Sequence, residues 1–214
     1  LKTGDQPFDD NAVAALIANG EIYNYIELRA AHPELEFATE SDCETPLRLY
    51  PAKGLDVAAE LRGMYALALH DRRENSLVLA RDPFGIKPLY YADDGETIRV
   101  ASQVKALRAG GAIADAPDPA GHAGFFLLGY VPEPHTMYRA IKSLPAGTSL
   151  RIEAGGQPRI QQYFRLQDQY AGRQAVSAPG EIAERLRAAL TDSIRHHLVA
   201  DVPVGVFLSA GLDS

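Results

Sequence analysis

The apolar run at residues 12–18 ends in the pair Asn19–Gly20, and this junction constrains the fold more than any other part of the sequence. A continuous run of small and aliphatic residues predicts a buried β-strand. Asn-Gly most readily adopts the positive-φ geometry of a tight turn, so we expect the strand to end there. Such a turn presents a side-chain amide and a glycine N–H together. Two such donors can stabilise an oxyanion during attack on a carboxamide, although most Asn-Gly pairs are simple hairpin turns.

The rest of the periodicity predicts a chain of mixed α and β structure. Alternation at residues 64–71, a turn and a returning run at residues 76–81 indicate a β-hairpin. Further strands are expected at residues 35–39, 89–92, 97–102, 141–144, 148–152 and 160–164. Helices are expected at residues 24–31, 45–53, 57–61, 104–109, 120–128 and 181–198. Residues 202–208 are almost continuously apolar, which is typical of a parallel strand buried on both faces.

Two interpretations fit the start of the helix near residue 45. Ser41 followed by Glu44 has the form of a capping box, in which each side chain bonds the other residue's backbone N–H. Thr45 as the N-cap, with Pro46 at the first helical position, fits equally well. The sequence leaves both interpretations open.

Charge and cysteine content exclude several classes of protein. A net charge of −7 and the absence of Lys/Arg runs argue against a nucleic-acid-binding surface. No apolar run reaches the ~20 residues that cross a bilayer, so we expect no membrane association. Cys43 is the single cysteine, which fits a reducing, cytoplasmic compartment.

Three motifs follow one another along the first half of the chain. They read Asn-Gly-Glu-Ile-Tyr-Asn-Tyr-Ile-Glu-Leu-Arg at residues 19–29, Ser-Asp-Cys-Glu at residues 41–44 and Arg-Asp-Pro-Phe-Gly-Ile-Lys-Pro-Leu-Tyr-Tyr at residues 81–91. This series closely resembles the glutaminase half of glutamine-dependent asparagine synthetases, which are class II glutamine amidotransferases. Residues 125–145 look like the segment that closes that half. Residues 207–214 look like the pyrophosphate loop that opens the synthetase half.

The resemblance implies a fold and a division into domains. It implies an α+β fold, the four-layer α/β/β/α sandwich of N-terminal-nucleophile hydrolases, over residues 1–166. Residues 167–180 are then a linker, and residues 181–214 begin a parallel α/β nucleotide-binding domain. The family's nucleophile is an N-terminal cysteine that matches no residue here, so we interpret the chain as an inactive fragment of a longer enzyme.

The resemblance also assigns roles to residues of the glutaminase half. Asn19 and Gly20 would form the oxyanion hole, while Glu21 and Asp42 would bind glutamine. For Asp42 the alternative is a helix-start aspartate that the helix dipole favours. Cys43 has acidic neighbours, which disfavour a thiolate, so we expect it to be structural.

At the end of the chain the resemblance implies a site for ATP and pyrophosphate. Its expected residues are Leu208, Ser209, Gly211, Asp213 and Ser214, with Asp213 holding Mg²⁺ through the pyrophosphate. Small residues after a buried strand let the backbone approach a phosphate. In the family a glycine usually occupies the position of Ala210.

The implied activity of the whole protein is ATP-dependent synthesis of asparagine from aspartate, with ammonia released from glutamine. The expected partners are therefore the small molecules glutamine, aspartate and ATP, and the resemblance allows for a homodimer. One alternative is a related amidotransferase that acts on another carboxylate. The other is a non-catalytic remnant.

Overall fold

The computed structural model describes residues 4–10, 12–153, 155–170, 178–200 and 202–211. The chain divides into two compact units, Leu1–Tyr170 and Ala171–Ser214. The first unit contains all the strands in the described residues. The second contains one long helix.

Nine strands and six α-helices follow one another along the chain. The strands are β1 (Phe8–Asp10), β2 (Ala14–Ile22), β3 (Gly63–Asp71), β4 (Ser76–Arg81), β5 (Tyr90–Asp93), β6 (Ile98–Ala101), β7 (Lys142–Ser143), β8 (Thr148–Glu153) and β9 (Arg159–Gln162). The helices are α1 (Tyr25–Ala31), α2 (Thr45–Lys53), α3 (Val57–Glu60), α4 (Val104–Ala109), α5 (Pro119–Leu128) and α6 (Pro179–His197). These counts refer to the described ranges alone.

The strands of the first unit form two antiparallel sheets. The first sheet has six strands in the order β1-β2-β3-β4-β8-β9, and the second has three in the order β6-β5-β7. Strand β2 pairs with β3 along its whole length, from Ala14 opposite Asp71 to Ile22 opposite Gly63. Strand β1 covers only the beginning of the other edge of β2.

Three apolar clusters show the order of the layers. On one face of the first sheet, Leu67 and Leu69 pack with Leu47 and Leu49 of α2. On its other face, residues such as Ala66 and Leu150 meet the second sheet. Beyond the second sheet, Leu107 of α4 packs against Ala92 and Ile141. The first unit is therefore layered helix, sheet, sheet, helix, as expected.

The expected turn at Asn19–Gly20 is wrong, because both residues lie inside strand β2. Asn19 is paired with Ala66 and Gly20 with Tyr65. A Cβ atom on Gly20 would lie 2.2 Å from the Met64 carbonyl oxygen and 2.6 Å from the Tyr65 Cα. The glycine is therefore needed for close approach of two strands rather than for a turn.

The expected strand at residues 35–39 is also wrong, since the backbone here bonds to a side chain instead of another strand. The carboxylate of Glu44 accepts hydrogen bonds from the N–H groups of Ala38, at 2.8 Å, and Thr39, at 2.7 Å. The guanidinium of Arg29 lies over the Phe37 ring and donates to the Thr39 carbonyl.

Neither interpretation of the helix start near residue 45 is correct. A 3₁₀ turn at Asp42–Glu44 leads directly into α2, where Pro46 is the second helical residue. The side chain of Ser41 makes no cap hydrogen bond. Glu44 bonds to residues 38 and 39 and so does not close a capping box. Helix α2 ends at Gly54, which has a φ of 57°, as the sequence predicts.

In the second unit, α6 confirms the predicted amphipathic helix, and its apolar side chains are about half exposed. The strand expected at residues 202–208 is absent from the described residues, where this segment is irregular. A strand is defined by its hydrogen-bonded neighbours, and an apolar run alone does not supply them. Part of the predicted linker, residues 171–177, lies outside the described residues. None of the helices in the described ranges is both long and apolar enough to span a membrane.

Candidate active site

The edge of strand β2 opposite β3 is only partly covered by β1. Strand β1 pairs with residues 14–16, and beyond it the side-chain amide of Gln6 takes over. Gln6 accepts a hydrogen bond from the Ala18 N–H at 2.7 Å and donates to the Ala18 carbonyl at 2.9 Å. One side chain therefore replaces one residue of a neighbouring strand, and in the described ranges no strand covers this edge of β2 beyond Ala18.

Gly20 presents its backbone groups at this open edge. In an antiparallel strand alternate residues bond to the same side, so Gly20 faces the same edge as Ala18. Its carbonyl accepts a hydrogen bond from the Cys43 thiol at 3.4 Å. The described part of the first unit provides no acceptor for its N–H. That N–H is therefore available to a bound molecule.

Asn19 projects from the face of β2 that is turned towards the second sheet. Its cross-strand neighbour, Ala66, belongs to the apolar cluster between the two sheets. The Asn19 side chain is exposed, and its Nδ2 donates a hydrogen bond to the Ser102 Oγ at 3.2 Å. Strand β2 thus places, on consecutive residues, an amide donor and a backbone N–H that has no acceptor among the described residues.

Asp42 joins this group of residues from the 3₁₀ turn. Its Oδ2 accepts a hydrogen bond from the Ile22 N–H at 2.6 Å, on the same edge of β2 as Gly20. The other carboxylate oxygen, Oδ1, has no hydrogen-bond partner among the described residues. Among the described residues, the Asp42 side chain bonds to the Ile22 N–H and contacts the Cys43 sulfur at 3.7 Å, and it accepts no hydrogen bond from the helix that follows. The geometry therefore offers a fixed anion with one free oxygen.

The pKa of the Cys43 thiol reflects the charged residues near this edge of β2. Burial raises the pKa of the Cys43 thiol to about 12, and the negative charges of Asp42 and Glu21 add to the increase. The positive charge of Lys87 opposes it. Cys43 is therefore a neutral thiol at physiological pH, which agrees with its expected structural role.

Arg81 and Asp82 hold the turn at residues 82–87 to the interior of the first unit. The buried carboxylate of Asp82 accepts hydrogen bonds from three backbone N–H groups of the turn. These belong to Phe84, Ile86 and Lys87, at 3.0, 3.0 and 2.9 Å. The guanidinium of Arg81 donates to the Gly85 and Lys87 carbonyls, each at 2.8 Å, and pairs with Glu133.

The expected phosphate loop lies in the second unit and is described only in part. Leu208 is exposed, and the Gly211 N–H donates to the Ser209 Oγ at 3.1 Å, closing a short serine turn. Asp213 and Ser214 lie outside the described residues. Within the described ranges, no group of three or more His, Cys, Asp or Glu side chains is arranged to hold a metal ion.

The structure thus brings together the four residues predicted for the glutaminase half: Asn19, Gly20 and Glu21 are consecutive in β2, and Asp42 is bonded to the same strand at Ile22. Sequence reasoning missed three residues beside them, which are Gln6, Lys87 and Ser102. Lys87 lies within the motif at residues 81–91, whereas Ser102 and Gln6 carry no signal of their own in the sequence.

Two protein-family models match the chain. The model described as "Glutamine amidotransferase domain" matches residues 1–164, and the model described as "Asparagine synthase" matches residues 185–214. The first match covers more than half of the chain.

Curated relatives match over the full chain. Asparagine synthetase (glutamine-hydrolysing) 1 of Bacillus subtilis is 34% identical over 220 residues, covering 100% of this chain and 34% of the relative. Asparagine synthetase B (glutamine-hydrolysing) of Escherichia coli K12 is 36% identical over 219 residues, covering 100% of this chain and 33% of the relative. The chain thus spans about a third of the length of these relatives.

Among solved structures, the chain is similar to the glutamine phosphoribosylpyrophosphate amidotransferase of B. subtilis in complex with ADP and GMP. The TM-score is 0.50 and the identity 23%, over 74% of this chain and 31% of that one. At this identity the likeness concerns the fold. It agrees with the layered α/β/β/α architecture described above.

Proposed function

The chain belongs to the family of glutamine amidotransferase domains, and from this premise we propose that the whole protein synthesises asparagine. In this proposal the first unit releases ammonia from glutamine. The synthetase part activates aspartate with ATP and lets ammonia displace AMP. The names of the relatives support the amidotransferase step and the use of small-molecule substrates.

In the glutaminase step, a thiolate attacks the glutamine carboxamide and the carbonyl oxygen becomes an oxyanion. The Asn19 Nδ2 and the Gly20 N–H donate hydrogen bonds to that oxygen. Preorganised donors of this kind are usually the largest single source of rate enhancement in acyl transfer. The tetrahedral intermediate then expels ammonia, and water hydrolyses the resulting thioester to glutamate.

Asp42 and Glu21 position the amino-acid end of glutamine. The free Oδ1 of Asp42 accepts a charge-assisted hydrogen bond from the α-ammonium group. Because its Oδ2 is fixed to the Ile22 N–H, the anion does not have to be ordered when glutamine binds. Glu21 is exposed on strand β2, beside Ile22, and provides a second polar contact to the α-ammonium group.

The attacking thiolate is not supplied by Cys43. Its pKa of about 12 keeps the thiol protonated, and the thiol donates to the Gly20 carbonyl. Cys43 is also the single cysteine of the sequence. We therefore expect residues 1–214 alone to be inactive towards glutamine.

In the second unit, Leu208, Ser209 and Gly211, followed by Asp213 and Ser214, are proposed to bind the phosphates of ATP. The small turn closed by the Gly211 N–H and the Ser209 Oγ fits close approach of the backbone to a phosphate. Asp213 is proposed to hold Mg²⁺, which would neutralise charge on the pyrophosphate. We also propose a cytoplasmic enzyme that forms a homodimer.

The observation that carries the proposal is the placement of the Asn19 amide and the Gly20 N–H on consecutive residues of β2, beside the fixed carboxylate of Asp42. The test uses the full-length protein with aspartate, ATP and glutamine labelled with ¹⁵N in the amide. We expect labelled asparagine, glutamate and AMP in equal amounts. Glutamate release without aspartate-dependent AMP formation would contradict asparagine synthesis while keeping the glutaminase. Absence of glutamate would contradict both.

A further inference from the structure

We propose that Ser102 is a positioning residue for the oxyanion donor Asn19. The inference rests on the proposed glutaminase function and adds a residue that the sequence motifs do not contain. The contact itself is a hydrogen bond of 3.2 Å from the Asn19 Nδ2 to the Ser102 Oγ. It links the edge of the first sheet to the second sheet.

Ser102 lies at a well-fixed point of the second sheet. It follows directly after β6, whose last residue, Ala101, is paired with Tyr90 of the neighbouring strand. It also lies two residues before α4, which is anchored by the buried side chain of Leu107. A strand and a helix therefore hold the serine from both sides. Sites supported by such elements keep tighter geometry than sites on loops.

The serine bond determines where the second N–H of the Asn19 amide points. An asparagine amide is planar and carries two N–H groups on one nitrogen. When one N–H donates to Ser102, the amide plane is fixed and the other N–H projects in one direction. Without the serine, the exposed Asn19 side chain is free to turn about its broad terminal torsion. The Ser102 hydroxyl thus preorganises the donor that meets the oxyanion.

This role predicts an effect on turnover rather than on glutamine binding. The oxyanion exists in the transition state, whereas Asp42 and Glu21 bind the other end of glutamine. A misplaced donor therefore lowers kcat and leaves KM almost unchanged. Small misplacements of catalytic groups cost up to about 10²-fold in rate, so we expect Ser102→Ala to lower kcat by roughly 10- to 10²-fold. The bond is exposed, so the melting temperature should not change.

The experiment compares three variants of the full-length protein. Ser102→Ala removes the hydroxyl, and Ser102→Thr retains it. Ser76→Ala is the matched control, because the Ser76 hydroxyl is buried and has no hydrogen-bond partner among the described residues. For each we would measure kcat and KM for glutamate release, ammonia-dependent asparagine synthesis and the melting temperature. We expect Ser102→Ala alone to lose glutaminase turnover.

A double variant separates positioning from a general structural role. If Ser102 acts through Asn19, adding Ser102→Ala to Asn19→Ala should cause no further loss of kcat. If the two losses multiply, Ser102 acts independently and the inference is wrong.

The other outcomes are equally decisive. Unchanged kcat in Ser102→Ala, with an active wild type, would overturn the inference and leave the proposed function intact. Parallel loss of glutaminase and ammonia-dependent activity, with a lower melting temperature, would show that Ser102 is needed for folding. A wild-type protein without glutaminase activity would refute the proposed function itself.

Discussion

The carboxylate of Asp42 accepts a hydrogen bond from the backbone N–H of Ile22 at 2.6 Å. Ile22 lies two residues beyond Gly20 on the same edge of strand β2. The anion proposed to bind glutamine and the donors proposed to bind the oxyanion are therefore attached to one stretch of backbone. The strand therefore sets the separation between the Asp42 carboxylate and the Gly20 N–H.

Asp42→Asn should weaken glutamine binding more than turnover. The asparagine can keep its oxygen on the Ile22 N–H but no longer carries the charge that attracts an ammonium group. Hydrogen bonds to charged groups contribute about 1.5–3 kcal/mol, so KM for glutamine should rise roughly 10- to 100-fold. Steady-state kinetics of glutamate release would measure this.

The matched control is Asp9→Asn. Asp9 also carries a bonded carboxylate, but it pairs with Arg72. The Asp9→Asn variant should leave the KM for glutamine unchanged. An equal KM for Asp42→Asn and the wild type would show that Asp42 has only a structural role.

Gly20→Ala should destabilise the first unit, because the new methyl group has no room. It would lie 2.2 Å from the Met64 carbonyl oxygen, which belongs to the backbone and cannot easily move. Overpacking of this kind costs about 1–3 kcal/mol or more. Gly110→Ala is the control, since its methyl would lie 3.4 Å from its nearest neighbour. Urea unfolding of both variants would measure the difference, and equal midpoints would contradict this reading of Gly20.

Glu44→Gln should lower stability at neutral pH and matter less in acid. Although burial of Glu44 acts to raise its pKa, hydrogen bonds from Ala38, Thr39 and Arg48 outweigh it and lower the pKa below 4.5. A carboxyl group whose pKa is lower in the folded than in the unfolded state stabilises the fold at pH values above its unfolded-state pKa. This contribution is lost as the pH falls through the folded-state pKa. We expect a loss of about 1–3 kcal/mol at pH 7 that shrinks towards pH 3.

Unfolding in urea at several pH values would test this expectation. The exposed Glu36, in the segment that Glu44 holds, supplies the control Glu36→Gln. A destabilisation by Glu44→Gln that stayed constant down to pH 3 would contradict a lowered pKa of Glu44 in the folded protein.

Cys43 should react slowly with alkylating reagents in the native protein. Its pKa of about 12, against an ordinary value of 9.0, reduces the thiolate fraction at pH 8 roughly 10³-fold relative to the unfolded chain. Iodoacetamide labelling with and without urea would measure this ratio.

The chain of residues 1–214 should release no glutamate from glutamine. Turnover that disappears in Cys43→Ala would show that the thiol is reactive after all.

Local patterns predicted those elements whose partners are close in sequence. The strand at residues 76–81 and the helix at residues 104–109 have the predicted bounds. In the hairpin of β3 and β4 the strands alternate and are joined by a short turn, so one window of sequence contains the whole signal. Such elements need little information from the rest of the chain.

Elements that depend on distant residues were not predictable in this way. The Asn19–Gly20 pair has a strong turn preference, but pairing with β3 across the whole strand overrides it. Residues 35–39 alternate like a strand, yet the buried carboxylate of Glu44 takes their N–H groups. Both outcomes depend on tertiary contacts that periodicity does not encode.

The same distinction applies to the candidate site. Asn19, Gly20, Glu21 and Asp42 lie in motifs that the sequence displays directly. Gln6 bonds to Ala18, which is 12 residues away, and Ser102 bonds to Asn19 across 83 residues. Glutamine and serine are common surface residues, so only the folded structure shows what they contact.

The most direct test of the account is the effect of Asn19→Ala on two activities of the full-length protein. Loss of one oxyanion donor typically costs about 10²–10³-fold in rate, so glutamate release should fall by that factor. Asparagine synthesis from added ammonia does not require the oxyanion donor and should stay close to the wild-type rate. Equal loss of both activities, or unchanged glutamate release, would contradict the assignment of this edge of β2 as the glutaminase site.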